Sequence, residues 1–399
     1  MWFLLSLLRR IDTFMDSDYN KASKMRKELT NMSNLDKFRG CLLGGAAGDA
    51  LGYEVEFMKA PGIFRRFGDR GITEYVLHNG VAQISDDTQM TLFTAAGLLV
   101  GTTRGMLRGI MGDYSDYIAY CYQDWLRTQH PMEQARGKHR YSWLMNEPRL
   151  YSRRAPGLTC LSVLGSGYLG RIETPINDSK GCGGIMRVAP IGLYFAGSGM
   201  PIEQIDRLGA EAAALTHGHE LGWLSSAVLV HIIHDLVYHP SIRIDRAVCD
   251  ALDAVEKIFP KTAHMAYQRQ LVEKAMDFAR ADMYDLTAIE TLGGGWVGEE
   301  ALAIAVYCAC KYPDDFDRAL IASVNHGGDS DSTGAVTGNI LGASLGLAGI
   351  PAKYRENLEL SDVILEMADD LYHNCRLTED GSCADPLWEQ KYVTCTYHK

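Results

Sequence analysis

Glycine recurs at every fourth residue in two separate apolar segments, at Gly40, Gly44, Gly48 and Gly52 and again at Gly334, Gly338, Gly342 and Gly346. Residues four apart share one face of an α-helix, so each segment reads as a helix with a bare stripe of backbone. Each glycine costs about 1 kcal/mol of helix propensity relative to alanine, and four on one stripe require a compensating contact. Without side chains in the way, another helix can approach closer than the usual separation of roughly 8–10 Å. The spacing predicts that these two helices pack on each other or against a shared central helix. Small-residue spacing also marks paired membrane helices, but Asp49, Glu54 and Asn339 interrupt the apolar character here.

Elsewhere apolar residues recur at three and four rather than two, which predicts helices over 38–52, 87–101, 114–127, 204–216, 219–237, 245–258, 265–280, 299–311, 333–348 and 361–373. The best strand signal is 72–84, where Ile72, Val76, Val81 and Ile84 flank an Asn79-Gly80 turn suited to a short hairpin. Residues 138–203 are helix-poor and studded with Gly and Pro, the pattern of binding loops. No low-complexity linker divides the chain. It reads as one all-α domain over 36–399, with at most a short hairpin, preceded by an arm at 1–35.

An apolar content of 47% suffices for a sizeable core, and a net charge of −11 without a basic stretch argues against nucleic-acid and anionic-membrane partners. The ten cysteines are scattered, which suggests neither a zinc knuckle nor a disulfide framework and points to a reduced, cytoplasmic protein. The apolar run Met1–Leu8 is far shorter than the ~20 residues of a membrane span. Its positive charges, Arg9 and Arg10, follow the run instead of preceding it, unlike a signal peptide. The arm reads as a helix folded back on its own domain or as a segment that binds a partner.

Two acidic motifs stand immediately before helices: Ser85-Asp86-Asp87-Thr88, and Asp329-Ser330-Asp331-Ser332-Thr333. Helix capping accounts for one such side chain in each. Adjacent or alternating carboxylates repel one another unless a cation compensates, and the two motifs together would gather four Asp with hydroxyls from Ser85 and Ser332. Hard oxygen donors of this kind suit Mg²⁺ or Mn²⁺. Glu56, just beyond the first glycine-striped helix, would add a carboxylate able to orient water or carry a proton. The run Lys180-Gly181-Cys182-Gly183-Gly184-Ile185-Met186-Arg187 is glycine-rich enough for its backbone N–H groups to cradle phosphate, although it is not a Walker sequence. Gly293-Gly294-Gly295-Trp296 offers bare backbone beside a ring on which a base could stack, or simply a turn with a core Trp. His217, between two helices, is by itself more typical of a structural histidine.

Taken together, FRGCLLGGAAGDALGYEVEF, ISDDTQMTLFTAAGLL, KGCGGIMRVAPIGL, LTHGH, GGGWVGEEALAIA and NHGGDSDSTGAVTGNILGA resemble the ADP-ribosylglycohydrolase family in type and order, over roughly residues 36–350. The resemblance implies an all-α orthogonal bundle with a dinuclear magnesium centre, in which manganese is an alternative. It implies Ser85, Asp86, Asp87, Asp329, Asp331 and Ser332 as metal ligands and Glu56, Asp87 and Asp331 as catalytic. Gly181, Cys182, Gly183, Gly184, Met186 and His217 would face the diphosphate and distal ribose. Gly295 and Trp296 would lie near the adenine, and Gly157 and Thr159 would be further pocket residues. Cys182 departs from the family pattern, because many members have Asn there.

The implied reaction is hydrolysis of the bond between ADP-ribose and a modified protein side chain, arginine first. Its oxocarbenium-like transition state is stabilised by nearby carboxylates. A second reading makes the chain an immunity protein that neutralises an ADP-ribosylating toxin through residues 1–35, with or without hydrolysis. A relative that kept the fold and lost the chemistry would have no use for four mutually repelling carboxylates. Phosphodiester or nucleotide hydrolysis would need the same metal centre.

Overall fold

The computed structural model describes residues 34–130, 139–195 and 198–399. Nearly all of the expected arm, at residues 1–33, lies outside the described residues. Seventeen α-helices and no strand occur among the described residues. Those that frame the acidic motifs are α1 (residues 34–53), α2 (Asp86–Arg108), α3 (Leu158–Ser166), α4 (Glu220–Tyr238), α5 (Gly298–Lys311) and α6 (Ser330–Leu345).

The glycine stripes of α1 and α6 face each other in an antiparallel register. An ideal Cβ built on Gly48 would sit 1.9 Å from the Gly334 carbonyl oxygen, and one on Gly44 or Gly40 would sit 2.5 Å from that of Gly338 or Gly342. The reverse substitutions meet the same wall: Cβ atoms on Gly338 and Gly342 would lie 2.0 Å from the carbonyl oxygens of Gly44 and Gly40. Main chain rests on main chain. The stripes are offset at their ends, where Gly52 meets the Ser330 carbonyl and Gly346 meets the Asp36 carboxylate. Asn339, one of the residues that broke the apolar pattern, donates from Nδ2 to the Cys41 carbonyl at 2.8 Å, and its amide fills the space above Gly45. Dispersion attraction between the two closely packed backbones offsets the helix propensity that the glycines forfeit.

α4 is buried nearly all round, as expected of a central helix. It is long and apolar enough to cross a membrane by length and composition, but 89% of its apolar window is buried inside the protein. α5, α6 and the helices Ile202–Ala214 and Ile244–Ile258 pack around it. The C-terminal segment joins the same body: helix Ser361–His373 packs on α2, and Trp388 Nε1 donates to Thr103 Oγ1 at 2.9 Å.

One expectation needs correction. The hairpin at 72–84 is reduced to one bridge between His78 and Val81. Asn79 and Gly80 both take positive φ, 53° and 85°, as a two-residue hairpin turn requires, but Ala82 then pairs with Leu358 and no ladder forms. The described part of 138–203 is helix-poor, and its residues 153 and 155–160 line the cleft described below. It contains α3, helix Ala189–Tyr194, and short 3-10 helices at Trp143–Asn146, Pro148–Leu150 and Cys182–Arg187. These elements are too short for a 3.6-residue period to show.

Candidate functional site

Antiparallel packing of α1 on α6 puts the C-terminal end of one helix beside the N-terminal end of the other, so Glu56, just after α1, meets Asp329 and Asp331. The carboxylate oxygens of these three residues lie within 4.8 Å of one another. α2 delivers Asp86 and Asp87 to the same place, where Ser332 Oγ donates to Asp87 Oδ2 at 2.8 Å. Capping explains part of each motif. Ser85 accepts from Asp87 N at 3.2 Å, and Asp329 and Asp331 both accept from Ser332 N, at 3.4 and 2.9 Å. Asp86 accepts from Gly157 N at 3.0 Å, which ties α3 to the cluster. One buried oxygen of Glu56, Oε2, has no hydrogen-bond partner.

Asp49 completes the arrangement from inside α1 and is a residue the sequence reading passed over. Its buried carboxylate accepts from Ser85 N at 2.9 Å, from Thr88 N at 3.0 Å and from the Thr88 hydroxyl, capping α2 from another helix. The available signal was its position: a charged residue between two glycines of a helix face that is otherwise buried.

The electrostatics are those of an under-compensated anionic site. Burial, with repulsion among the carboxylates, pushes Asp86, Asp87 and Asp329 well above the usual carboxylate range. The same causes push Glu56 up to about 10 and Asp49 up to about 7. Carboxylates so placed cannot all ionise unless positive charge joins them. The donor set is all hard oxygen, and the unsatisfied Glu56 oxygen points to the same need, so the residues fit divalent cations of the magnesium class. Cys182 Sγ donates to Asp329 Oδ2 at 2.8 Å, which places a thiol at the edge of this oxygen set.

Above the cluster opens a cleft of about 650 Å³, within the roughly 300–1,000 Å³ of small-molecule sites. Glu56, Asp86, Asp87, Asp329, Asp331 and Ser332 line its floor, and Gly157, Thr159, Gly181, Cys182, Gly183, Met186 and His217 line its walls. Trp296 and Phe57 stand at its mouth, 44% and 75% exposed, with ring centroids 6.2 Å apart and planes inclined by 27°. Sequence reasoning missed Phe57, Cys160 and Arg153 among the lining residues; Arg153 is the one arginine or lysine among the described residues there.

Three expectations change. Gly184 lies behind the wall, where a Cβ would approach the Gly222 carbonyl at 3.1 Å. Gly295 is buried at a turn with φ of 78°, a conformation suited to glycine, and helps aim Trp296 outward instead of touching the cleft. The backbone at Cys182 is not free to cradle an anion, because its N–H donates to the Trp296 carbonyl at 3.1 Å. That bond, with Gly298 N donating to the Lys180 carbonyl at 2.8 Å, joins the two glycine-rich segments.

A family model described as ADP-ribosylglycohydrolase matches residues 30–381. The chain is 25% identical over 372 residues to ADP-ribosylhydrolase ARH3 of Danio rerio, covering 85% of this chain and 90% of that protein. It is 26% identical over 339 residues to the ADP-ribosyl-[dinitrogen reductase] glycohydrolase of Rhodospirillum rubrum, covering 83% and 93%. A solved structure titled ADP-ribosylglycohydrolase-related protein complex is similar in fold, with a TM-score of 0.54 and 23% identity over 86% of this chain and 99% of that one.

Proposed function

We propose a function from one premise: this chain belongs to the ADP-ribosylglycohydrolase family. In this reading it hydrolyses the N-glycosidic bond between ADP-ribose and a protein side chain, with arginine as the acceptor and divalent cations in the acidic cluster. The observation that carries it is the convergence of Glu56, Asp329 and Asp331, with Asp86 and Asp87 beside them, on the floor of one cleft. An acidic cleft complements a guanidinium, and the net charge of −11 favours a protein substrate over nucleic acid.

Ser85, Asp86, Asp87, Asp329, Asp331 and Ser332 would hold two Mg²⁺ or Mn²⁺ ions. When bound, the ions supply charge neutralisation and Lewis-acid polarisation of ribose hydroxyls. Trp296 stacks the adenine at the mouth, and His217 with Gly157, Thr159, Gly181, Gly183 and Met186 contacts the diphosphate and distal ribose. Glu56 takes a proton from the attacking water as its oxygen bonds the anomeric carbon and the C–N bond breaks. The electron pair leaves with the guanidine nitrogen, which receives the proton that Glu56 took from water, and the carboxylate is regenerated. Asp87 and Asp331 stabilise the positive charge that develops on the ribose.

The test is release of ADP-ribose from ADP-ribosyl-arginine protein, with and without Mg²⁺, by wild type and by the Asp86→Ala, Asp87→Ala double variant. Mg²⁺-dependent release that disappears in a folded double variant is the expected result. Faster release from a serine or cysteine linkage would overturn the arginine assignment, and no release from any linkage would overturn the hydrolase.

A further inference from the structure

Behind the cleft wall lies a buried cation with no carboxylate partner among the described residues. Arg187 is fully buried. Its Nη2 donates to the Ala212 carbonyl at 3.0 Å and to Thr216 Oγ1 at 2.7 Å, Nη1 contacts Cys160 Sγ at 3.4 Å, and the guanidinium lies 4.3 Å over the Tyr122 ring. Thr216 Oγ1 is in turn 2.8 Å from His217 Nδ1. Three consecutive groups therefore run from a permanent cation to an imidazole that lines the cleft.

We propose that Arg187, acting through Thr216, fixes His217 in the tautomer that carries its proton on Nε2, and so presents a neutral N–H donor to the diphosphate of an ADP-ribose ligand. The direction of the chain follows from donor capacity. Arg187 can only donate, so the Thr216 oxygen accepts from it, and the hydroxyl has one proton to give. The acceptors within its reach are the imidazole nitrogen and the Cys160 sulfur, and sulfur is the weaker. A hydroxyl that receives a charge-assisted bond is also a better donor. Nδ1 is then the acceptor, and the ring proton sits on Nε2.

The cleft side of the ring supports this independently. An ideal Cβ on Gly181 would lie 3.3 Å from His217 Nε2, and one on Gly183 would lie 3.2 Å from it and 3.0 Å from Cε1. Neither glycine adopts a positive φ, so backbone conformation does not demand glycine there. Room beside the imidazole does. Burial and the nearby Arg187 hold the imidazole down to about 3, so the ring stays neutral and carries a single N–H.

This inference rests on the hydrolase reading for the identity of the ligand, but its first measurement does not. Histidine-selective ¹⁵N NMR of the full chain, with His217 assigned by its loss in His217→Ala, should show a protonated-type Nε2 and an unprotonated-type Nδ1. A protonated Nδ1 in wild type would overturn the relay. Calorimetric titration with ADP-ribose in Mg²⁺ then tests its use. Thr216→Val should weaken binding about tenfold or more, the order expected for losing a hydrogen bond to a charged group, and should let the tautomers mix. Thr216→Ser should restore both the tautomer and the affinity. Gly183→Ala should weaken binding with the tautomer unchanged. Wild-type affinity in folded Thr216→Val and Gly183→Ala would overturn the role assigned to Nε2. A wild type that carries the Nε2 proton and binds no ADP-ribose would refute the hydrolase reading and leave the relay in place.

Discussion

Ser332 Oγ donates to Asp87 Oδ2 across 2.8 Å, although the two residues are 245 apart in the chain. The bond joins two acidic motifs that each sit at the start of a different helix. Nothing local draws them together. α2 is anchored to α1 by Asp49, α6 is anchored to α1 by glycine, and α1 is therefore the common jig for the site.

Separating α1 from α6 should dismantle both stability and chemistry. Gly48→Ala forces a Cβ to within 1.9 Å of the Gly334 carbonyl oxygen and should destabilise by at least about 3 kcal/mol, the upper end for overpacking, or prevent folding. Gly165→Ala, on α3 with nothing within 4 Å, should be neutral or stabilise by up to about 1 kcal/mol. Urea unfolding of the two variants beside wild type measures the contrast.

Divalent cations should raise the thermal midpoint. At a free concentration about 100-fold above Kd, linkage adds about 2.7 kcal/mol to stability. Differential scanning fluorimetry with Mg²⁺ or Mn²⁺ should show a shift in wild type that disappears in Asp331→Asn. An equal shift in both proteins would remove Asp331 from the ligand set.

Glu56→Gln keeps the volume of the side chain and removes its basicity. The turnover rate should fall by about 10²-fold or more, the usual contribution of a general base. Affinity for ADP-ribose should stay within a few-fold of wild type, as read by calorimetry beside steady-state kinetics.

Trp296→Ala should act on binding instead. A base stacked on an aromatic ring contributes roughly 1–3 kcal/mol, so KM should rise about tenfold or more while kcat changes little. Phe57, which stacks on Trp296 at 6.2 Å, should show a smaller effect of the same sign when changed to Ala.

A separate cluster sets a pH dependence of stability. His231 Nδ1 lies 2.8 Å from Asp206 Oδ2 and its Nε2 lies 3.5 Å from Asp235 Oδ2. Burial opposes its charge, but the two carboxylates win and raise the imidazole to about 9. A raised value means that the folded state holds the proton more tightly. The stabilisation is complete below the unfolded value of about 6.5 and is lost as pH rises towards 9. Urea midpoints of wild type should fall over that window, by at most about 3 kcal/mol of stability, and those of His231→Asn should fall less.

Much of this was legible in the chain because local periodicity carries it. A glycine at every fourth position can only be a helical stripe, and Ser-Asp-Asp-Thr before an apolar run can only begin a helix. Asp49 escaped notice for a related reason: within α1 it looks like an interruption, and its partners Ser85 and Thr88 belong to another helix. Gly184 and Gly295 were over-read because neighbours in a glycine-rich run do not face the same way. The hairpin at Asn79-Gly80 had the right turn chemistry, but pairing beyond one bridge needed a partner strand that the fold does not provide.

The sequence by itself determined the longer helices, that two of them carry a bare backbone stripe calling for close packing, and that carboxylates too concentrated for mutual tolerance head two of the helices. These follow from spacing and from the chemistry of each residue. Only the tertiary structure decided the antiparallel register that sets Glu56 beside Asp329 and Asp331. It alone decided that Asp49 caps α2, and that Arg187 reaches His217 through Thr216. The reason is physical: helix periodicity fixes which residues share a face, whereas the meeting of faces from distant segments depends on how the whole set of helices fills space at once.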